Sequence, residues 1–167
     1  ALYADYGFRV DDKWFFNFGI RMNYFSVLDK FFIEPRFQIE AKINSEFMFK
    51  ASGEKLHQAV SQVVEFNTKQ FGLENQIWVI SDDSIIPLLK SYQLTSGFVF
   101  NKNGWDISLE GYYKNVKGLT SFTLGFENVD DFFSRGKSNV LGLELLFKKK
   151  IYNYRTWLSY SLVNNDF

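Results

Sequence analysis

Lys13-Trp14-Phe15-Phe16-Asn17-Phe18-Gly19-Ile20-Arg21-Met22-Asn23-Tyr24 decides the fold. Its even positions are Trp14, Phe16, Phe18, Ile20, Met22 and Tyr24; its odd positions are Lys13, Phe15, Asn17, Gly19, Arg21 and Asn23. A period of two sends these sets to opposite faces of a β-strand, whereas a helix gathers apolar residues three and four apart. Residues 33–43 repeat the pattern. Ile33, Pro35, Phe37, Ile39, Ala41 and Ile43 alternate there with Glu34, Arg36, Gln38, Glu40 and Lys42. Six further stretches alternate less cleanly, at 1–10, 46–53, 92–101, 105–114, 139–148 and 154–163. Within these stretches every charged residue keeps to the polar parity. The pattern predicts an all-β chain of about eight antiparallel strands, with one apolar sheet face and one face rich in both signs of charge.

The joints add a second regularity. Asp11-Asp12, Asn44-Ser45, Lys102-Asn103-Gly104 and 150–153 are short and turn-like. The joints at 26–31, 54–90 and 115–138 are longer, and short and long alternate. Consecutive antiparallel strands then place short turns on one rim and long loops on the other. Outer-membrane β-barrels have this asymmetry, with short periplasmic turns and longer extracellular loops.

Composition narrows the classes. The 167 residues suit one domain or a piece of one. Nineteen basic residues balance nineteen acidic ones, which argues against a nucleic-acid-binding face. No cysteine is present, so disulfide scaffolds and cysteine-based metal or redox sites are excluded. Aromatic content is 20%, the composition of strands and interfaces. No apolar run reaches the roughly 18 residues of a membrane-spanning helix, which leaves a membrane barrel open. Ala1 to Val10 already reads as strand, and a strand pattern runs almost to Phe167. The expectation is a single barrel region, 1–167, forming part of a larger barrel.

The direction of the apolar face separates a membrane barrel from a soluble one. The strands run to about ten residues, near the length that crosses a bilayer with tilt and longer than the globular average of about five or six. On the apolar parity, Trp14, Tyr24, Tyr92, Trp105, Tyr113, Tyr154 and Tyr160 gather toward strand ends, with Phe, Leu and Ile between them. That sorting predicts aromatic girdles at two membrane interfaces. Arg21, Glu34, Arg36, Glu40, Glu110 and Glu144 then face an aqueous lumen, pairing with one another or meeting a plug. The expected fold is an antiparallel up-and-down transmembrane β-barrel segment in contact with outer-membrane lipid in a Gram-negative bacterium.

The chain resembles the middle-to-late barrel of TonB-dependent outer-membrane receptors, especially those of the Bacteroidetes type. The resemblance lies in Glu34-Pro35-Arg36, Ala51-Ser52-Gly53 with His57-Gln58, Ile86-Pro87, and Ser91-Tyr92-Gln93 with Gly97. It continues through Glu110-Gly111-Tyr112-Tyr113-Lys114, Gly118-Leu119, Gly142-Leu143-Glu144 with Lys148-Lys149, and Trp157-Leu158-Ser159-Tyr160-Ser161. It implies uptake of a scarce nutrient (siderophore, cobalamin, oligosaccharide or peptide) driven through the TonB system. It also implies a plug domain and further strands, since complete transporters of this kind have about twenty-two. The plug and TonB box are absent from these residues, so this segment alone cannot transport. A lone eight-stranded sheet would leave 1–10 and 154–163 as edges, either closing on each other or satisfied by other strands. A self-contained small barrel with an adhesive or structural role is the alternative, and a soluble ligand-binding barrel the third reading.

Other residues point less far. His57, the only histidine, reads as a plain loop residue, since a metal site needs three or four convergent ligands. Asp82-Asp83 and Asp130-Asp131 read as solvated turn pairs, and Lys148-Lys149-Lys150 as a rim facing headgroups or solvent. Leu56, Val60, Val63 and Val64 suggest a short helical turn in the loop 54–90. Phe66, Phe71 and Trp78 of that loop could line a ligand vestibule. Pro35, without an amide donor, belongs near a strand end or edge. No nucleophile–base–acid set emerges, so the expectation is a non-enzyme without cofactor or metal.

Overall fold

The computed structural model describes residues 1–66, 74–82, 84, 86–122 and 133–166. The strands are β1 (Leu2–Val10), β2 (Trp14–Phe25), β3 (Lys30–Lys42), β4 (Phe47–Gln58), β5 (Val60–Phe66), β6 (Glu74–Ile80), β7 (Leu89–Lys102), β8 (Trp105–Phe122), β9 (Phe133–Ile151) and β10 (Tyr154–Asp166). Eight form one antiparallel sheet in the order β1-β2-β3-β4-β7-β8-β9-β10, each beside its neighbour in sequence apart from the step over β5–β6. This is the up-and-down arrangement that the alternation predicts. Among the described residues, β1 and β10 do not pair with each other, and each is hydrogen-bonded on one side only.

The 54–90 segment corrects one expectation. It holds a two-stranded hairpin, β5–β6, in register from Val60↔Ile80 to Phe66↔Glu74, and not a helical turn. β-Branched Val60 opposite Ile80 and Val63 opposite Ile77 suit a pleated surface better than a helix. β4 also runs on to Gln58, which places His57 in a strand.

Short turns have the backbone that tight hairpins require. Asn103 and Gly104 both take positive φ, 49° and 77°, between the paired Lys102 and Trp105. Such two-residue loops match the right-handed strand twist.

The register carries a regular stagger. Each strand that leaves a short turn begins with an aromatic residue of the apolar parity: Trp14, Phe47, Trp105 and Tyr154. The hydrogen-bonded row from Trp14 passes Ala41 and meets β4 at Phe49, two residues inward from Phe47. The row from Phe47 passes Phe100 and meets β8 at Ile107, two inward from Trp105. The row from Trp105 passes Lys149 and meets β10 at Thr156, two inward from Tyr154. The rim therefore shifts one residue per strand. About 3.4 Å per residue against about 4.8 Å between strands is a tilt of about 35°, the tilt of closed barrels.

Burial is inverted relative to a soluble domain. Among the described residues the buried apolar ones are Ala41 and Leu88, while Asn23, Glu34, Ser81 and Ser138 are buried polar ones. Phe18, Ile20, Leu94, Phe98, Leu109 and Leu143 on the apolar face are all exposed. Among the described residues, nothing covers that face.

Candidate functional site: the polar wall

The residues opposite the apolar set build a charged wall, and its densest part surrounds Glu34. Pro35 explains how that part forms. The β3–β4 ladder stops at Arg36↔Glu54, beside the proline that has no amide to donate. Pro35 thus lies within β3 yet at the end of a ladder. Past that point the His57 backbone N–H donates instead to Glu34 Oε1 at 2.7 Å. Glu34 Oε2 accepts from Asn23 Nδ2 at 2.7 Å and lies 3.8 Å from Arg21 Nε. Arg21 Nε also donates to Asn23 Oδ1 at 3.1 Å.

The Glu34 side chain is 2% exposed. His57 Nδ1 stands 3.4 Å from its carboxylate, buried without a hydrogen bond among the described residues. The imidazole packs on Phe32 at 4.8 Å between ring centres, and Phe32 packs on Phe25 at 5.4 Å. A buried carboxylate with two close donors and a nearby guanidinium is a held anion, fixed as a structural strut rather than free to bind. The plain-loop reading of His57 is therefore replaced by a packed strand residue. Asn23, Phe25 and Phe32 were missed in the sequence. The available signal was two phenylalanines on the polar parity near a rim, where an aromatic side chain needs a packing partner.

The other predicted wall charges divide into two groups. Arg36 reaches across β2 to Asp5, with Nη2 at 2.8 and 2.7 Å from the two carboxylate oxygens and Nε at 3.1 Å. Gly19 lies between them in the register, and a Cβ there would collide with both side chains. Glu40 faces Lys50 at 3.5 Å. Glu110 and Glu144 instead sit directly opposite each other on β8 and β9. They form no ion pair among the described residues, and like charges so placed repel.

On the apolar face, Trp14 and Trp105 mark the short-turn rim. Tyr24, whose hydroxyl donates to Asp29 Oδ1 at 2.7 Å, and Tyr92 lie toward the long-loop rim. Tyr113 is two residues inward of the Tyr92↔Asn115 pair, and its hydroxyl reaches Asn139 Oδ1 at 3.1 Å. Tyr154 opens β10, but Tyr160 stands in the row of Leu109 and Leu145, away from either rim. Trp78 on β6 is exposed. Phe66 ends β5, and Phe71, Asp83 and Asp130-Asp131 lie outside the described residues. Asp82 Oδ1 accepts from the Ser84 and Ile86 backbone N–H groups at 2.9 Å each, a turn-capping role. Lys149 lies over the Trp105 ring at 4.4 Å and donates to the Asn103 carbonyl at 3.0 Å.

No protein-family model matches the chain, and no curated protein sequence matches it significantly. Solved structures do. The siderophore receptor PirA from Pseudomonas aeruginosa superposes with a TM-score of 0.73 at 15% identity, over 96% of this chain and 33% of that one. The siderophore receptor PirA from Acinetobacter baumannii superposes with a TM-score of 0.69 at 15% identity, over 96% of this chain and 27% of that one. The chain thus spans about a third or less of the length of the receptors it matches, and its fold is that of a run of strands in their barrels.

Proposed function

We propose that this chain is part of the wall of a transmembrane β-barrel in the outer membrane of a Gram-negative bacterium. The barrel belongs to a TonB-dependent receptor that takes up a scarce nutrient. The reading is one of transport, not catalysis. One observation carries it: the face bearing Phe18, Leu94, Phe98, Leu109 and Leu143 is uncovered, while the buried side chains of the sheet are largely polar ones on the opposite face. In water such a sheet would expose far more contiguous apolar surface than a soluble domain tolerates. In a bilayer the same face is solvated by lipid, and the charges line an aqueous interior. The single hydrogen-bonded sides of β1 and β10 are then completed by further strands of the same protein. A plug domain and the TonB system are the partners this reading requires.

Cysteine scanning in the intact protein, without other cysteines, tests it. Leu109→Cys and Leu143→Cys should resist a membrane-impermeant maleimide in proteoliposomes and react with a lipid-soluble one. Glu110→Cys and Glu144→Cys should show the reverse. Equal labelling of both sets by the impermeant reagent would end the reading. For the ligand, siderophore-bound iron is the first to try, because both matched structures are siderophore receptors. Loss of radioactive iron uptake on deletion of the gene would support that choice over cobalamin, oligosaccharide or peptide.

A further inference from the structure

The wall carries a seam between β3 and β4. These strands are laddered from Lys42↔Met48 to Arg36↔Glu54 and diverge past Pro35. Beyond that point each keeps its other partner. β3 stays paired with β2 as far as Phe25↔Lys30, and β4 with β7 as far as Gln58↔Leu89. Two bridges cross the seam: the His57 backbone N–H donates to Glu34 Oε1, and the imidazole packs on Phe32. His57 pairs with Lys90, two residues beyond the Lys55↔Tyr92 pair, so the seam faces the long-loop rim. β5 starts at Val60, two residues past Gln58. The end of β4 held by these contacts is therefore also the root of the β5–β6 hairpin.

The seam suits a neutral imidazole and not a charged one. The His57 side chain is 4% exposed, and its Nδ1 has no hydrogen bond among the described residues. Glu34 lies close but is already engaged: one oxygen takes the His57 N–H and the other the Asn23 amide. The charged groups around the ring are Glu34 on β3, Lys55 on β4 and Lys90 on β7, with Arg21 of β2 beside the same carboxylate. Among the described residues, three cations thus surround one satisfied anion. Burial pushes the imidazole below its ordinary value, Lys55 and Lys90 push the same way, and Glu34 opposes them. A base held neutral in the closed seam takes up a proton more readily once the seam is open. The stability that His57 gives the seam is thus present above the ordinary value of about 6.5 and is lost as pH falls below it.

We propose that His57 is an acid-sensitive latch on the β3–β4 seam. Neutral, it packs in the seam and keeps its N–H on Glu34; protonated, it leaves the pocket, and the outer end of β4 separates from β3 with the hairpin it carries. The latch is a property of the seam and does not depend on which nutrient is transported.

Amide hydrogen exchange on the intact protein in maltoside micelles tests it, with protection corrected for the intrinsic pH dependence of exchange. From about pH 7.5 to about pH 5, protection at 55–58 should fall, by up to about tenfold per pH unit below about 6.5, the limit for one proton taken up on opening. Protection at 48–53, where β4 is laddered to β3, should hold constant. His57→Phe keeps the backbone N–H and a ring but takes up no proton, so its protection at 55–58 should be flat over the same range. Lys55→Gln/Lys90→Gln keeps the histidine and removes two of the cations that disfavour its charged form, so the fall should be smaller than in the parent. Protection at 55–58 that stays constant or rises on acidification of the parent would overturn the latch. So would a fall of the same size in His57→Phe or, should that variant not fold, an undiminished fall in Lys55→Gln/Lys90→Gln. Failure of the membrane-barrel reading shows instead in the cysteine labelling and leaves this exchange pattern in place.

Discussion

Gly19 shows how a single missing side chain organises the wall. Asp5 and Arg36 are two strands apart, and they meet because β2 offers no Cβ between them. Gly19→Val should push the pair apart and destabilise the barrel by about 1–2 kcal/mol. In an Asp5→Asn/Arg36→Gln background the same change should cost less, because smaller coupling remains to be lost. Urea unfolding from lipid vesicles measures both, and equal costs in the two backgrounds would show that the ion pair is not what the glycine accommodates. Glu34 is a stronger case, since it satisfies two donors in a buried setting. Glu34→Ala should cost about 2–4 kcal/mol by orphaning the His57 N–H and the Asn23 amide. Glu34→Gln keeps an acceptor and should cost about 1 kcal/mol. If the two substitutions cost the same, the hydrogen bonds to Asn23 and His57 are not what Glu34 contributes. Parity in the sequence put Arg21, Glu34 and Arg36 on one face. It could not show that Pro35 ends a ladder and turns Glu34 into a replacement backbone acceptor, because that depends on where a neighbouring strand diverges.

At the scale of the element, β8 and β9 are longer than their alternation suggests, at 18 and 19 residues. Between Tyr113 and the end of β8 the apolar residues Val116, Leu119 and Phe122 fall three apart, so no period of two marks the strand. What keeps it extended is the ladder to β9, a long-range pairing invisible in a local pattern. Gly118 interrupts that ladder with a bulge between Lys117 and Leu119. Its φ of +84° and the Leu88 carbonyl 2.6 Å from where a Cβ would sit leave room only for glycine. Gly118→Ala should cost about 1–3 kcal/mol and loosen the pairing above Lys117. Amide exchange should rise at 119–122 and stay unchanged at 105–113; uniform exchange along β8 would contradict the bulge as a local device. The β5–β6 hairpin escaped reading for a different reason. Leu56, Val60, Val63 and Val64 fall at helical spacing, and only pairing with β6 decides between a helical turn and a strand.

For the whole molecule, the register supplies a thickness. The row Tyr92–Asn115–Asn139 lies ten residues along the strands from Lys102–Trp105–Lys149. At about 3.4 Å per residue and a tilt of about 35°, the belt between them is about 28 Å tall, close to the hydrocarbon core of a bilayer, about 30 Å. A soluble core has no such dimension, and this difference can be measured as a depth profile. Leu109 stands near mid-belt on the apolar face, and Ser108, one residue away, faces the other side. Leu109→Arg should cost about 2–4 kcal/mol in vesicles. Tyr92→Arg, on the same face at the rim, should cost about 1 kcal/mol or less. Ser108→Arg should cost less than Leu109→Arg despite the adjacent position, because its charge enters water. In a bilayer of shorter acyl chains the Leu109→Arg penalty should shrink, since the guanidinium then reaches an interface sooner. A dry protein core would penalise Leu109→Arg equally in both lipids, so a penalty independent of chain length would refute the placement of this face in lipid.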